Sequence, residues 1–481
     1  MSSILIENAA ILTLDEADRF IERGSLLIEG RNIAAVGKVD ASARGRAAQI
    51  IDGSGFLAAP GFVNAHTHTP GALSAGTQDS VSHPAFMWLN QADTSGRTPR
   101  EVYVSAMLNA TQMLLGGTTT AIDHFPAQNF GPEDVAAVVE AYRDSGMRMV
   151  LGLRVFDDDF GDIFPADKPL SPDLAAELKR LAPLPPKPLH ETRVLLEQSV
   201  ALYHRPEERL SVFPSPSNPV RCSDDLLVMC RDIAERHDLG VHTHLLESKI
   251  QSTLAQRRYG CTMVQHLERL KLLGPRLSCA HTIWIEQEDI ERLARNGVVV
   301  VHNPESNLKL GTGIAPIAQM LASGVPVALG TDGSITNDNL VLHEAIRLAA
   351  ILGRTSQRDR KQWVTARQAL AMATEGGAKA VQLAGQIGRI QPGYRADVVL
   401  YDLDTPAWTP LNDPVQQMVF AETGSNVHTV IADGTVVVDD GEITAFDAKA
   451  VIAQAKPMLR QIRERNRDLY AFARRMSEIF P

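Results

Sequence analysis

Short apolar runs bounded by turn residues occur near both ends of the chain. Gly, Asp and Asn separate these runs, and such residues favour the tight turns that connect short strands. The runs are residues 2–7, 25–29 and 33–36 near the start, and residues 396–401, 428–432 and 435–438 near the end. This pattern predicts a small β-sandwich domain that is built from both chain ends.

Between residues 59 and 388, short apolar runs alternate with stretches of helical periodicity, as in a parallel sheet with crossover helices. The helix predicted at residues 223–239 starts at an N-cap serine, Ser223, and Gly240 can end it. The predicted strands are residues 62–68, 118–124, 148–154, 210–215, 240–245, 277–281, 297–303 and 325–332. These eight units predict a closed (β/α)8 TIM barrel. An open doubly wound sheet is the alternative, although no GxGxxG motif follows the first strand.

The predicted fold class is therefore α/β, with a barrel inserted into a β domain. The predicted segments are residues 1–58 and 389–445 for the β-sandwich domain, residues 59–388 for the barrel and residues 446–481 for a helical tail. The tail pattern has a break at Pro457. Residues 157–209 are too long for a plain crossover, so they predict an insertion that could act as a lid.

Composition narrows the class of protein further. The chain has 481 residues, 44% of them hydrophobic, and a net charge of -10 that disfavours a nucleic-acid partner. No apolar run reaches the roughly 18–20 residues of a membrane span, and the first residues lack the pattern of a signal peptide. The four cysteines are too few and too unpatterned for a disulfide framework. We therefore expect a reduced, cytoplasmic protein.

Polar residues able to do chemistry lie at the C-terminal ends of most predicted strands. In TIM barrels these ends surround one bowl, which holds the active site. A single histidine there means little, but here five strands end in histidine and one ends in aspartate. The residues are His66, His68, Asp123, His124, Arg154, His244, His281, His302 and Asp332.

Two pairs of histidines have the spacing of metal ligands. His66 and His68 are two residues apart on one strand, so both side chains point into the barrel. His242 and His244 repeat this spacing, and Glu247 follows just past the strand end, at the level of His244. This favours His244 as the ligand and His242 as a supporting or packing residue.

The candidate ligand set consists of three imidazoles and one carboxylate, namely His66, His68, His244 and Asp332. Such a set suits Zn²⁺, or Fe²⁺ or another divalent ion. A binuclear site would need a bridging group, often a modified lysine at the end of strand four, and residues 210–215 contain no lysine. We therefore predict one ion per chain.

Other residues are weaker candidates for contact with a substrate. Arg154 could bind an anionic or carbonyl group, or form a salt bridge within the barrel. His124 could line the bowl or make a structural hydrogen bond, and Trp88 and Trp284 could stack on a flat substrate or pack in the core. The histidines away from strand ends are interpreted as structural or exposed; they are His83, His190, His204, His266, His343 and His428.

Several of these segments together resemble the amidohydrolase superfamily. The segments are PGFVNAHTH (60–68), HTHLLE (242–247), His281, HNPESNLKL (302–310), GTDG (330–333) and GQIGRIQPGYRADVVLYD (385–402). In particular they are similar to the mononuclear-metal branch that contains guanine and S-adenosylhomocysteine deaminases and triazine hydrolases. The resemblance extends over nearly the whole chain.

The resemblance implies roles for the candidate residues. It implies the same metal ligands, with Asp332 also taking a proton from the attacking water. Glu247 would shuttle protons, and His281 would hydrogen-bond the water on the metal or the substrate oxygen. Asn303 and Ser306 would shape the pocket wall or hold the loop of Asp332. Relatives of this kind often form dimers or tetramers, so the resemblance also implies a homo-oligomer.

The expected activity is hydrolysis of a C–N bond in a small molecule, with deamination of an amino-substituted N-heterocycle as the first hypothesis. Hydrolysis of an amide, carbamate, urea or thiocarbamate bond is the alternative, and a metal-free scaffold is a remote third. Nucleoside-type deaminases carry a glutamate after strand one that binds ribose hydroxyls. Thr94 aligns there, and Asp93 could substitute only by a one-residue shift. This departure disfavours a nucleoside substrate.

Overall fold

The computed structural model describes residues 3–126, 131–158, 171–181, 186–356 and 359–479. Its strands are β1 (Ser3–Leu12), β2 (Phe20–Glu29), β3 (Asn32–Gly37), β4 (Gln49–Asp52), β5 (Phe56–Pro60), β6 (Phe62–Thr67), β7 (Thr118–Phe125), β8 (Arg148–Val155), β9 (Leu210–Pro216), β10 (Val241–Leu245), β11 (Leu277–His281), β12 (Val299–His302), β13 (Val327–Leu329), β14 (Val398–Asp402), β15 (Val427–Ala432), β16 (Thr435–Asp439) and β17 (Glu442–Ile443).

The helices follow the same chain order. They are α1 (His83–Thr94), α2 (Pro99–Leu115), α3 (Pro132–Ser145), α4 (Pro172–Leu181), α5 (Leu189–Tyr203), α6 (Asp224–His237), α7 (Lys249–Tyr259), α8 (Met263–Arg269), α9 (Gln287–Asn296), α10 (Pro304–Lys309), α11 (Ile317–Ala322), α12 (Ser334–Asn337), α13 (Leu342–Ser356), α14 (Ala366–Ala371), α15 (Gly377–Ala380), α16 (Pro414–Phe420), α17 (Ala448–Ala455), α18 (Met458–Arg465) and α19 (Arg467–Ile479). Across these described segments, no helix combines the length and the apolar character that a membrane span needs.

Strands β6 to β13 form the predicted parallel barrel. Hydrogen bonds join β6–β9 into one four-stranded sheet and β10–β13 into another. The two sheets meet where the His244 N–H donates to the Ser217 carbonyl at 3.3 Å, and where the Asp332 N–H donates to the His66 carbonyl at 3.0 Å. The Asn64 amide also donates to the Thr331 hydroxyl at 2.7 Å. These bonds close the (β/α)8 barrel and bring the two ends of its chain segment together.

Helix α6 shows how local sequence sets a crossover helix. The Ser223 hydroxyl accepts the N–H of Leu226 at 3.2 Å, as predicted for the N-cap. The C-terminal end differs from the prediction, because Asp238 rather than Gly240 adopts the left-handed conformation that ends the helix. Gly240 is needed for another reason, since a Cβ there would lie 2.4 Å from the Phe213 ring.

The β domain draws on both ends of the chain, as predicted. Its strands form one continuous sheet in the order β17-β16-β15-β14-β5-β1-β2-β3, with β4 paired to β1. Strand β5, from the N-terminal part, pairs antiparallel with β14, from the C-terminal part. Side chains from both parts share one apolar cluster, which includes Ile6, Ile28, Val398 and Ile431. The sequence pattern missed β4, β5 and β17, which have only two to five residues each.

The C-terminal helices pack against α1. The predicted break at Pro457 separates α17 from α18, and a second break at Asn466, which the sequence did not suggest, separates α18 from α19. The Arg463 guanidinium donates to both oxygens of buried Asp93 at 2.9 Å. Trp88 and Phe472 meet edge to face, with ring centroids 5.5 Å apart. The tail therefore supports the helix that follows the first barrel strand.

The predicted insertion at residues 157–209 is only partly visible. Residues 159–170 and 182–185 lie outside the described segments, so the hypothesis of a lid stays a prediction. Helix α5, in the second half, is a regular crossover helix that buries Leu196 and Val200. Helix α4 contacts the tail, where Glu177 pairs with Arg475.

Arg148 links the barrel to the β domain, and its removal should be costly. At the start of β8 it pairs with Asp397 and, at 2.7 Å, with Asp433, and all three side chains are buried. We expect Arg148→Met to lower the free energy of unfolding by about 3–5 kcal/mol, because buried Asp397 loses the cation it pairs with and buried Asp433 keeps only its pair with Arg31. Arg143→Met is the matched control, since its pair with Glu208 is exposed and is worth about 0–1 kcal/mol. Urea unfolding checks this; equal effects of the two variants would contradict it.

Candidate metal centre and active-site cavity

The backbone turns sharply where three barrel strands end. Leu246, His281 and Asp332 have φ values of 49°, 71° and 60°, in the left-handed region that non-glycine residues rarely adopt. Each such residue costs of order 1–3 kcal/mol, and residues of this kind cluster at functional sites. All three lie at the C-terminal end of the barrel: Leu246 precedes Glu247, and His281 and Asp332 are themselves candidate site residues.

Close packing of β13 against β6 depends on Gly330. A Cβ at this position would lie 2.4 Å from the Asn303 Oδ1 and 2.7 Å from the His66 Cβ. Any side chain would therefore push the segment that carries Asp332 away from His66. The glycine in the GTDG motif thus has a steric role at the site.

Two histidines present their lone pairs to one another. The His68 Nδ1–H donates to the His124 carbonyl at 2.9 Å, and the His244 Nδ1–H donates to the Ser217 carbonyl at 2.5 Å. Both Nε2 atoms are then unprotonated in the neutral rings, and they lie 3.2 Å apart. Two opposed lone pairs at this distance repel each other unless a cation lies between them.

His66 adds a third nitrogen to this arrangement. Its Nδ1 lies 2.8 Å from the His242 Nε2, and the His242 Nδ1 lies 2.8 Å from the Ser278 hydroxyl. This chain of hydrogen bonds directs the other ring nitrogen, His66 Nε2, to the barrel interior, where it is buried without a partner among the described residues. The Asp332 Oδ1 lies 3.6 Å from it and 3.3 Å from the His68 Nε2.

The protonation states of these groups suit a divalent ion. Burial lowers the pKa of His66 well below its usual value, lowers that of His68, and lowers that of His244 to about 3, so the rings are neutral. Burial raises the pKa of Asp332, but the His68 and His281 rings outweigh this and lower it. Three neutral imidazoles and a carboxylate are a donor set of the zinc type. The residues present therefore fit a bound metal.

Two overlapping groups of ligand atoms converge within 4.8 Å of one another. One consists of His66, His68, His124 and His244, and the other of His66, His281 and Asp332. The structure thus brings together the four predicted ligands and places His124, which was predicted as a substrate contact, among the imidazoles. Both ring nitrogens of His124 are buried, with no partner in the described ranges.

Polar residues of the HNPESNLKL segment hold the site rather than line the cavity. The Ser306 hydroxyl donates to the Asp332 Oδ2 at 2.6 Å, and the His281 Nδ1–H donates to the Asn307 Oδ1 at 2.8 Å. Asn303 is buried against Gly330 and His281. The Ser306 contact fits the second of the two roles that the resemblance implies, which is to hold the loop of Asp332. Neither Ser306 nor Asn303 is among the described residues that line the cavity, and a contact with substrate stays a prediction.

His281 lies between the two candidate catalytic carboxylates. Its Nε2 is 3.9 Å from the Glu247 Oε1 and 3.9 Å from the Asp332 Oδ2. The other Glu247 oxygen, Oε2, is 3.3 Å from the His83 Nε2. Burial raises the pKa of Glu247, but the His281 and His83 rings together lower it by more than this, so its net pKa is well below the usual value. Glu247 is therefore ionised.

A cavity opens beside these groups at the C-terminal end of the barrel. Its walls include Phe86, Asn90 and Thr94 from α1, and two arginines, of which Arg154 is half-buried and Arg221 is buried. Burial lowers the pKa of Arg154 to about 10, although Asp123 opposes this, so its guanidinium is a cation facing the cavity. This agrees with the predicted position of Arg154.

The two tryptophans lie elsewhere. Trp88 is buried in the core against Phe472, and Trp284 is 41% exposed, with its indole N–H donating to the Thr312 carbonyl at 2.8 Å. In the part of the chain that the structure describes, neither lines the cavity. On α1 the aromatic residue at the cavity wall is Phe86, two positions before Trp88. The sequence did not show which of these two aromatic side chains faces the cavity and which faces the core.

His83 is the functional candidate that the sequence missed. Interpreted from sequence as structural or exposed, it lies on the cavity wall with its Nε2 at the Glu247 carboxylate. No strand-end signal could have identified it, because it is the first residue of a helix.

The possible role of Asp93 in place of a ribose-binding glutamate is also corrected. Arg463 donates to both oxygens of Asp93, so this carboxylate is already paired.

Fold and site together define a metal-dependent hydrolase of the TIM-barrel type. The amidohydrolase family model matches residues 57–437. The chain belongs to this family, as the sequence resemblance predicted.

Sequence relatives point to reactions at C–N bonds. The chain is 34% identical to a 5-methylthioadenosine/S-adenosylhomocysteine deaminase from Syntrophobacter fumaroxidans, over 91% of this chain and 93% of that one. It is 33% identical to a 5'-deoxyadenosine deaminase from Methanothermobacter thermautotrophicus, again over 91% and 93%. The prediction of a hydrolase acting on C–N bonds is confirmed.

Solved structures support the same fold and a metal. An adenosine deaminase from Xanthomonas campestris with bound zinc has a TM-score of 0.81 and 28% identity, covering 97% of this chain and 99% of that one. An atrazine chlorohydrolase from Arthrobacter aurescens TC1 in complex with zinc has a TM-score of 0.85 and 25% identity, covering 95% and 100%. The predicted fold, a barrel with a β-rich domain, is therefore confirmed. The zinc complexes of these structures support a divalent metal as well.

Zinc should stabilise the folded protein through the opposed imidazoles. Free zinc at 1,000 times its Kd would add about 4 kcal/mol to the free energy of unfolding of a one-site protein. We expect the melting temperature of metal-free protein to rise with zinc, and most of this rise to be lost in His68→Ala. His190→Ala, at an exposed histidine of α5, is the control. Thermal melts over a zinc titration test this; equal zinc responses in the two variants would refute it.

Proposed function

We propose that the protein deaminates an amino-substituted N-heterocycle of the purine class, with Zn²⁺ as its ion. The observation that carries this is the placement of two carboxylates, Glu247 and Asp332, on either side of His281 in the lining of one cavity. Deamination at a ring carbon needs a base for water, a proton donor for the ring nitrogen and a donor for the developing oxyanion. These three groups can fill the three roles.

The ligand roles are assigned to His66, His68, His244 and Asp332. A divalent ion held there would supply Lewis acidity, which would lower the pKa of water towards about 7. The protein supports the ligands through hydrogen bonds to the rings and to the carboxylate, as outer groups of metal sites commonly do.

The proton transfers can be assigned to named atoms. Water adds to the ring carbon that bears the amino group, and its two protons leave in turn. Asp332 accepts one and passes it to the departing amine, and Glu247, which starts ionised, carries the other to the adjacent ring nitrogen. With both ring nitrogens protonated, His281 keeps its Nδ1–H bond to Asn307 and donates a hydrogen bond from Nε2 to the oxygen of the tetrahedral adduct. The C–N bond then breaks, which yields ammonia and a carbonyl compound.

The cavity walls favour a free heterocycle over a nucleoside. Asp93 is held by Arg463, and Thr94, the residue at the wall, carries no charge that would bind ribose hydroxyls strongly. Arg154 faces the cavity and is assigned to an anionic or carbonyl group of the substrate. The relatives act on nucleosides, as their names state, so a comparison of base and nucleoside tests this point directly.

The cellular setting is also part of the proposal. We assign a homo-oligomer, dimer or tetramer, on the family resemblance. We assign the cytoplasm on the composition and on four buried free cysteines, Cys222, Cys230, Cys261 and Cys279. The acidic net charge of -10 argues against a nucleic-acid partner.

Glu247→Gln is the first test of the reaction. We expect the variant to keep its zinc but to lose about 10²–10⁴-fold in kcat, because an amide cannot carry the proton. The measurement is ammonia release from aminopurines, their nucleosides, aminopyrimidines, pterins and aminotriazines. Glu235→Gln, at an exposed glutamate of α6, is the control.

The same panel separates the competing activities. Near wild-type turnover in Glu247→Gln would refute its assigned role. Silence of the zinc-loaded wild type across the panel would refute deamination and favour amide, carbamate, urea or thiocarbamate substrates. Failure to bind any divalent ion would favour the metal-free scaffold.

Asp332→Asn should damage two properties at once. The carboxylate is assigned both as ligand and as base, so we expect weaker zinc binding and a lower kcat. Ser306→Ala keeps the carboxylate and removes only its hydrogen-bond donor, so its loss should be about 10–100-fold in affinity or rate. Chelator competition gives the zinc affinity. An Asp332→Asn variant that binds zinc as tightly as wild type would contradict the ligand role.

A further inference from the structure

We propose that His83 is a positioning residue for Glu247: its imidazole holds one carboxylate oxygen so that the other faces the reacting centre. This rests on the proposed function, because it concerns the residue assigned to proton transfer. His83 is the first residue of α1 and shares the cavity wall with Glu247.

The two oxygens of Glu247 have different neighbours. Oε2 lies 3.3 Å from the His83 Nε2, and Oε1 lies 3.9 Å from the His281 Nε2. The shorter contact is in hydrogen-bond range through the N–H of His83, whereas the longer one is not. A carboxylate that is bonded at one oxygen has a defined rotation about its last torsion, which is otherwise broad. His83 thereby selects Oε1 as the oxygen that serves the substrate.

The backbone at Glu247 is held in place. Its backbone N–H donates to the Gln251 Oε1 at 2.8 Å, and the preceding residue, Leu246, has the left-handed φ of 49°. The Glu247 side chain is only 10% exposed, so water cannot fully solvate its carboxylate. A buried carboxylate needs a donor, and His83 supplies it.

The electrostatics support a donor role for His83. Burial lowers the pKa of the ring, but the Glu247 carboxylate and, more weakly, Asp332 raise it above the usual value. The other ring near it is Phe86, with centroids 6.4 Å apart, which carries no charge. The Glu247 carboxylate, to which His83 would donate, is therefore also the main group that favours a proton on its ring.

The tail connects to this contact through α1. His83 begins the helix whose other end, Asp93, is bound by Arg463 of α18. The Ser82 hydroxyl caps the helix by accepting the Ala85 N–H at 3.4 Å. Both ends of α1 are therefore anchored, which keeps His83 in reach of Glu247.

Two substitutions separate positioning from mere packing. His83→Phe keeps a ring but has no donor, and His83→Gln keeps an N–H donor but cannot carry a proton at neutral pH. We expect His83→Phe to lower kcat about 10–100-fold, with KM within about 3-fold and zinc content unchanged. We expect His83→Gln to recover kcat to within about 5-fold of wild type. His237→Gln, at an exposed histidine of α6, is the control.

A readout independent of turnover completes the test. Crystal structures of the zinc-loaded wild type, His83→Phe and His83→Gln should show the Glu247 carboxylate rotated in the Phe variant alone. If the carboxylate rotates as expected but no panel compound is turned over by wild type, the positioning role stands and the proposed function fails. An unmoved carboxylate in His83→Phe, or a His83→Gln variant as slow as His83→Phe, would overturn the inference.

Discussion

The structure of the site depends on one electrostatic constraint: neutral imidazoles point their lone pairs at a single point inside the barrel. The Nε2 atoms of His68 and His244, 3.2 Å apart, repel each other without a cation. Their orientation comes from carbonyls of the neighbouring strands, at His124 and Ser217. The barrel backbone itself therefore sets the donor geometry, and burial keeps the rings neutral by penalising the charged forms.

Around this point, a neighbouring side chain contacts each candidate functional group. Two of these neighbours, Ser306 and Asn307, are not among the described residues that line the cavity, and the third, His83, lies on its wall. Ser306 holds Asp332, Asn307 holds His281, and His83 contacts Glu247. Such support reduces the freedom of the reacting groups, which is what electrostatic preorganisation requires. The left-handed residues at the strand ends add strain that packing of the barrel must balance.

The parts outside the barrel contribute to the site indirectly. The β domain is joined to the barrel by buried Arg148 between Asp397 and Asp433. The C-terminal helices hold α1 through Arg463 and Phe472, and α1 forms one wall of the cavity. One wall of the cavity is therefore held by segments far apart in the chain. Asp93, next to the cavity-lining Thr94, is one of the anchors.

The alternation of strands and helices along the chain predicted the barrel and the shared β domain. Period-two strands, which put alternate side chains on one face, predicted the strand-end positions of His66, His68, His244, His281 and Asp332. The sequence could not place Trp88, Trp284 and Ser306, since their surroundings come from segments distant in the chain. The contact of His83 with Glu247 and the pairing of Arg463 with Asp93 became visible in the folded chain alone. Local periodicity encodes which face of a strand or helix a side chain takes, whereas the partner of that side chain depends on how distant helices and loops pack.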